Sequence, residues 1–423
     1  MPRVCGHLRE PRMPITPRRD GLSEPMNVSA HAAGSVTADG HYALNLTRPG
    51  SHVLVIEPGR GIAVIGPASL GKKADLHVAP DEVIHWPAFD PFATSAGSPW
   101  PRHIDYCGND SGFFAWSQRR AIEQFRWTPV FADGRSVDAS VARIRMLQIR
   151  LAQVSGHLSI ALPAAGSLSL EGDLSRVTVG GGVPAALLLR PTLGRRPGQA
   201  PYVLPALGLL QDVTSLSLEG APLGQAISLL GIERFPSLES LSLTGSFTDW
   251  QALAGLRHLS NLELRFVPDL QDLPALDSWP SLDSMIVWNV DEAAGKRLKA
   301  QIGARAKARA WAGHTLISKL RKPTWWQSEY GRPFAGWNSR LAKAANAAYD
   351  SAREALEGAA NVAAVQAAVA TFTVQFNVMK GIETAQREDI GEAVWQLSQL
   401  PHVVALGLSD AQLQHWFDEV RHY

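Results

Sequence analysis

Three short stretches carry residue types able to do chemistry, and each lacks a part that its chemistry requires. Gly66-Pro-Ala-Ser-Leu-Gly71-Lys72-Lys73 follows the apolar run Ile62 to Ile65 and nearly has the spacing of a phosphate-binding loop. Such a loop wraps backbone N–H groups around a nucleotide's phosphates and needs a Ser or Thr after its lysine to ligate magnesium. Here that position is Lys73, and Ala74 to Val78 alternates like a strand where the loop needs a helix N-terminus. The segment therefore reads as a hairpin turn with exposed lysines. Cys107 lies in His103-Ile-Asp-Tyr-Cys107-Gly-Asn-Asp110, close in sequence to an imidazole and carboxylates. A thiolate nucleophile needs a base placed on it in space and a lowered pKa, which sequence neighbours alone do not supply. A buried or turn cysteine is the better expectation. Glu383, Glu388 and Asp389 share one predicted helix with Arg387, and paired carboxylates can exchange protons. A solvated or ion-paired helix face is the better expectation. The 13 histidines do not cluster at metal-ligand spacing, so neither a metal nor any other cofactor is expected.

Bulk composition narrows the class. A chain of 423 residues exceeds one ordinary core, so two or three domains are expected. The balance of 40 basic against 39 acidic residues gives no overall pull towards nucleic acid or an anionic membrane. Cys5 and Cys107 cannot build a disulfide framework, which fits the reducing cytoplasm. No apolar run approaches the roughly 18 to 20 residues of a membrane helix. Residues 1–34 set arginines among prolines without the apolar stretch of a signal peptide, and are expected to be a disordered tail, with Met13 or Met26 as alternative starts.

The elements that would position side chains are carried by a repeat. Val213-x-x-Leu216-x-Leu218, Leu238-x-x-Leu241-x-Leu243, Leu259-x-x-Leu262-x-Leu264 and Leu282-x-x-Met285-x-Val287 recur at intervals of 25, 21 and 23 residues. A short strand with two inward leucines cannot bury them alone and must stack on copies of itself. Upstream, the cores Leu147-Gln-Ile149, Leu158-Ser-Ile160, Leu168-Ser-Leu170, Val177-Thr-Val179 and Leu187-Leu-Leu189 recur too closely to be one rung each. Two arrangements fit. Alternate cores at 147, 168 and 187 continue the series into seven rungs, with 158–160 and 177–179 as return strands; or all five form an antiparallel meander joined to four rungs.

The predicted fold is mixed α/β, a repeat solenoid of parallel strands over residues 141–290 between two other regions. Residues 35–140 read as a small antiparallel β-rich N-terminal domain with one helix over Ser117 to Phe125. After Val290 the repeats are expected to stop, with 291–338 forming a cap helix (Asp291 to Ala312) and a linker. Residues 339–423 read as a helical C-terminal domain with helices over about 338–357, 360–380 and 383–399. A strand, Val403 to Leu408, is expected next, then a helix opened by a Ser409/Gln412 capping box.

The LxxLxLxx register resembles the leucine-rich repeat superfamily over about 75 residues, and over about 145 with the N-terminal rungs. The resemblance implies a solenoid whose outward strand residues bind a partner. The departure is the family's buried asparagine, replaced here by Ala221, Ser246, Val267 and Val290. Arg332 to Trp337 and Ile382 to Ile390 are similar to the helical tail of some bacterial repeat proteins, a tail with no known activity.

Side chains alternate along a strand, so the residues between and just after the strand leucines face outward. These are small and polar in the middle of the repeat and gain size and charge towards its end. The expected partner-binding residues are Glu219, Thr244, Glu263, Arg265, Ile286 and Trp288, since exposed Trp beside Arg is a composition that dominates protein interfaces. The leading expectation is a non-enzymatic protein-interaction scaffold. The alternatives are a polyanion binder using residues 293–328, which hold nine Lys and Arg and no Asp or Glu, or an enzyme with its site in the N-terminal region.

Overall fold

The structure, a computed structural model, describes residues 15–17, 41–55, 61–94, 97–195 and 198–422. The expected N-terminal tail, with Cys5, Met13 and Met26, lies outside them apart from Ile15–Pro17. The chain divides into two compact units, Met1–Arg321 and Lys322–Tyr423.

The first unit is built on an open twelve-stranded sheet whose pairs are all parallel. We number its strands in chain order: β1 (Ile62–Gly66), β2 (Leu76–His77), β3 (His103–Cys107), β4 (Ile122–Thr128), β5 (Ile144–Arg150), β6 (Ser167–Gly172), β7 (Ala186–Pro191), β8 (Ser215–Glu219), β9 (Ser240–Thr244), β10 (Asn261–Val267), β11 (Ser284–Asp291) and β12 (Thr315–Arg321). The spatial order is β12 to β3 in descending sequence, then β1 and β2. Leu147, Leu168, Leu187, Leu216, Leu241, Leu262 and Met285 are direct partners in consecutive strands, and all are buried. Alternation within each strand puts a second buried ladder two residues on, from Ile149 to Val287.

The return segments decide between the two arrangements left open by the sequence. Leu158–Leu162 and Val177–Gly181 pair parallel with each other, and Leu158–Leu162 with Arg135–Asp138, in a separate sheet. The meander is therefore excluded. Tyr202–Val203, Ile227–Ser228 and Phe247–Thr248 form a third small parallel sheet, and short 3₁₀ turns complete the later crossovers. Side-chain donors reach several of the turn carbonyls. Trp279 Nε1 donates to Leu253 O at 2.8 Å, and Arg234 to Gly231 O and Leu204 O at 3.0 and 2.9 Å.

Three expectations need correction. The region before residue 140 is not an antiparallel domain: only Tyr42–Leu44 and His52–Leu54 pair that way among the expected runs, while β1, β3 and β4 are parallel and β4 pairs with β5 across the expected boundary. Trp86, Phe113, Phe125 and Trp127 fill this part of one continuous core, stacked or edge-to-face. Its helix, α1, spans Phe113–Arg119, and Ile122 onward is a strand with Ile122, Phe125 and Trp127 buried in the core. The parallel strands also do not end at Val290, where the repeats were expected to give way to a cap and linker. Helix α2 (Glu292–Ala308), capped by Asp291 on the Ala294 N–H, is a crossover that leads into β12, and β12 lies parallel to β11 within the segment expected to be linker.

In the second unit, α3 (Pro323–Tyr330) precedes α4 (Ser339–Glu357), α5 (Val362–Asn377), α6 (Thr384–Ser398), α7 (Pro401–Ala405) and α8 (Asp410–Val420). They enclose their own core around Phe334, Phe372, Phe376, Val394 and Leu413. Asn338 and Asn361 cap α4 and α5, and the Ser409/Gln412 capping box opens α8 as expected. The third correction falls here: the first half of the expected strand Val403 to Leu408 is helix α7, and a turn follows it. Pro401 at the first helical position favours that start, and Val404 is left exposed rather than paired.

Candidate partner-binding face

Because the leucine ladders face the core, the residues between them form rows on the opposite face of the sheet. One row runs Asp105, Arg126, Gln148, Ser169, Leu188, Ser217, Ser242, Glu263, Ile286 and Leu316. A second includes Glu219, Thr244, Arg265, Trp288 and Ser318. The six residues expected from the sequence are thus neighbours on four adjacent strands.

The two ends of this face differ in chemistry. Towards the N-terminal side charges are committed to each other across strands. Arg126 donates to Asp105 at 2.7 Å and to Gln148 at 3.0 Å, Gln148 donates to Glu171 at 3.0 Å, and Arg150 reaches the same carboxylate at 3.3 Å. Arg190 meets Glu219 at 2.6 Å, which ties up one of the expected binding residues. Cross-strand pairs of this kind stabilise the register and leave little charge for a partner. Ser242 donates to Glu263 at 3.1 Å, and Glu263 is also paired with Arg265.

At the C-terminal side the face becomes apolar and aromatic. Trp288 is half-buried and meets Phe266 edge-to-face, with ring centroids 4.9 Å apart. Helix α2 does not cover it: Ala294 and Leu298 join the core with Met285 and Val287, on the other face of β11. Ile286 is partly exposed, and its partner Leu316 on β12 is 42% exposed. Phe266 and Leu316 were not expected. Phe266 follows the strand pattern by an extra residue, and Leu316 belongs to the strand that the repeat interval conceals.

The same end carries backbone strain. Phe266, Asn289 and Lys319 have φ of 51°, 51° and 58°, in three adjacent strands and one residue before the aligned Val267, Val290 and Leu320. The preceding strand places Gly245 (φ 115°) just after Thr244, where a left-handed backbone needs no Cβ. An ordinary side chain in this region costs about 1 to 3 kcal/mol. Asn289 tolerates it best and accepts a hydrogen bond from Arg321 Nε at 2.7 Å. The kink turns Phe266 onto the outward face, beside Trp288.

No protein-family model, curated protein or solved structure matches this chain.

The other candidate residues lie elsewhere. The Gly66–Lys73 segment is a 3₁₀ turn between β1 and β2, which are parallel rather than a hairpin; Lys72 and Lys73 are exposed, and no α-helix follows. Cys107 is buried, and burial followed by the nearby Asp105 charge raises its thiol pKa, the opposite of activation. His103 faces Glu123 at 3.5 Å. On α6, Asp389 accepts from Trp337 Nε1 at 2.8 Å. Among the described residues no group of His, Cys, Asp and Glu is arranged to hold a metal. No helix among them is long and apolar enough to cross a membrane.

The basic segment is partly consumed by the fold. Arg305 donates to the carbonyls of Leu276, Trp279, Pro280 and Leu282 at 2.8, 3.0, 3.3 and 2.9 Å, and Arg309 to those of Pro280 and Leu282. Lys296 pairs with Glu292 at 2.7 Å. Arg305 and Arg309 therefore close the last turn beneath α2, and the charges remaining on the helix form no single stripe.

Proposed function

We propose that this chain is a non-enzymatic, cytoplasmic protein-interaction scaffold of the leucine-rich-repeat kind, holding a partner protein on the outward face of its parallel sheet. The observation that carries the reading is the row Thr244, Arg265 and Trp288, direct neighbours on β9, β10 and β11, with Trp288 partly exposed against Phe266. Partly exposed aromatic and Arg side chains on a rigid frame anchor partners at small entropic cost. Burial of Cys107 and the strand following Lys73 weigh against the enzymatic readings, and the engagement of Arg305 and Arg309 weighs against polyanion binding.

The test is affinity capture from the native cell with tagged protein, followed by single substitutions. Trp288→Ala and Arg265→Ala are expected to cost about 2 kcal/mol or more of binding energy, as truncated interface anchors do. Ser217→Ala and Ser242→Ala should cost little, and all four variants should keep the melting transition. If capture survives both Trp288→Ala and Arg265→Ala, this face is not the binding site.

A further inference from the structure

Among the described residues β12 pairs only with β11, so the outward face ends there and the other side of β12 is an edge of the sheet. A strand edge presents unpaired backbone N–H and C=O groups and can accept an extended chain as an added strand. Resting on the partner-binding reading of this face, we propose that the edge of β12 receives an acidic, extended peptide segment of the partner.

Side chains on the edge favour that chemistry. Leu316, 42% exposed, continues the apolar surface of Ile286 outward. Lys319 is exposed on β12 and makes no ion pair among the described residues. The whole segment 293–328 lacks Asp and Glu, so no local carboxylate competes for it. Alternate residues of an added strand would extend the outward face. One apolar side chain would pack on Leu316 while a flanking carboxylate meets Lys319. A basic segment would face the same lysine unfavourably, so charge sets the partner class and backbone pairing sets its extended form.

The test uses the full chain and a short acetylated peptide alternating isoleucine with glutamate, kept at concentrations where it is monomeric. Two controls replace glutamate by lysine or carry backbone N-methyl groups along one edge. The acidic peptide is expected to bind and to slow amide hydrogen exchange within residues 315–321. The lysine and N-methyl peptides should bind at least about tenfold more weakly, a loss of roughly 1.4 kcal/mol. Lys319→Glu, a surface change that should leave melting unaltered, should weaken the acidic peptide by about the same factor. Absence of binding, equal binding of acidic and basic peptides, or binding without slower exchange at 315–321 would each overturn the proposal. If these fail while Trp288→Ala still abolishes capture, only the edge proposal falls. Capture that survives Trp288→Ala and Arg265→Ala removes the underlying reading instead.

Discussion

Truncation of Arg305 is a sharp test of how the repeat is closed at its C-terminal end. Its guanidinium reaches four carbonyls, and three belong to the buried residues Leu276, Trp279 and Leu282. Burial, and then the adjacent charge of Arg309, lowers its pKa, yet an arginine keeps its proton in a folded protein. A buried acceptor left without a donor costs about 1 kcal/mol or more. None of the three is left so, because Leu276 O still accepts from the Trp279 N–H, Trp279 O from the Leu282 N–H and Leu282 O from Arg309; what is lost is hydrogen bonding to a charged donor, about 1.5 to 3 kcal/mol. Arg305 also lies 5.1 Å from the ring centroid of Trp311, and truncation removes that cation–π attraction as well. Arg305→Ala should therefore cost about 2 to 3 kcal/mol in urea unfolding, with faster exchange of the β11 and β12 amides. Arg305→Lys should recover only a small part, since an ammonium lacks the planar fork that spans several carbonyls. Arg297→Ala, an exposed position on the same helix, serves as the neutral control. An Arg305→Ala midpoint equal to that of Arg297→Ala, or full rescue by lysine, would refute the closing role.

Three further outcomes follow from the geometry. Leu241→Ala removes a buried side chain flanked by Leu216 and Leu262 and should cost about 2 to 5 kcal/mol by calorimetry or denaturant; a loss under about 1 kcal/mol would mean that the ladder is not a packed core. ATP or GTP with magnesium should leave the melting temperature unchanged, because Lys73 replaces the needed hydroxyl and β2 replaces the needed helix; a magnesium-dependent shift abolished by Lys72→Ala would contradict this. Burial raises the folded pKa of Cys107 and Tyr106, and pushes that of Tyr202 up to about 12, so the unfolded chain gives up these protons first. Stability from these groups is complete below the unfolded thiol value of 9.0 and falls as pH rises past it and past the tyrosine value of 10.0. Urea midpoints that hold constant from about pH 7 to about pH 10.5 would exclude that linkage.

The repeat was legible because its leucines recur in phase and the parallel sheet asks only that each strand match the next. Six partner-binding candidates could be placed on one face for the same reason, since alternation fixes which side chains point outward. The first strands were not legible as part of that sheet. A long insertion separates β1 from β3, and the outward Ile62 and Val64 are apolar, so the runs look like independent hairpins. Strand β12 was hidden by its crossover: α2 is a 17-residue helix where the crossovers between β5 and β11 are short return strands and turns, and the strand then falls outside the repeat interval. Phe266 escaped because left-handed backbone is normally read from glycine or asparagine, and neither is present there.

From β3 to β12 the spatial order of the strands is also their order in the chain. During synthesis, each new strand emerges beside an edge that the preceding strand has already completed. A repeat of 21 to 25 residues takes about 1 to 5 s to translate, whereas closing a short loop takes under a microsecond. The growing chain can therefore add each rung as it leaves the ribosome, templated by its predecessor, with the aromatic cluster around Trp86 and Phe125 as the first stable platform. Arrest of translation after β9 should leave a bound, protease-resistant intermediate whose exposed edge awaits only the next strand.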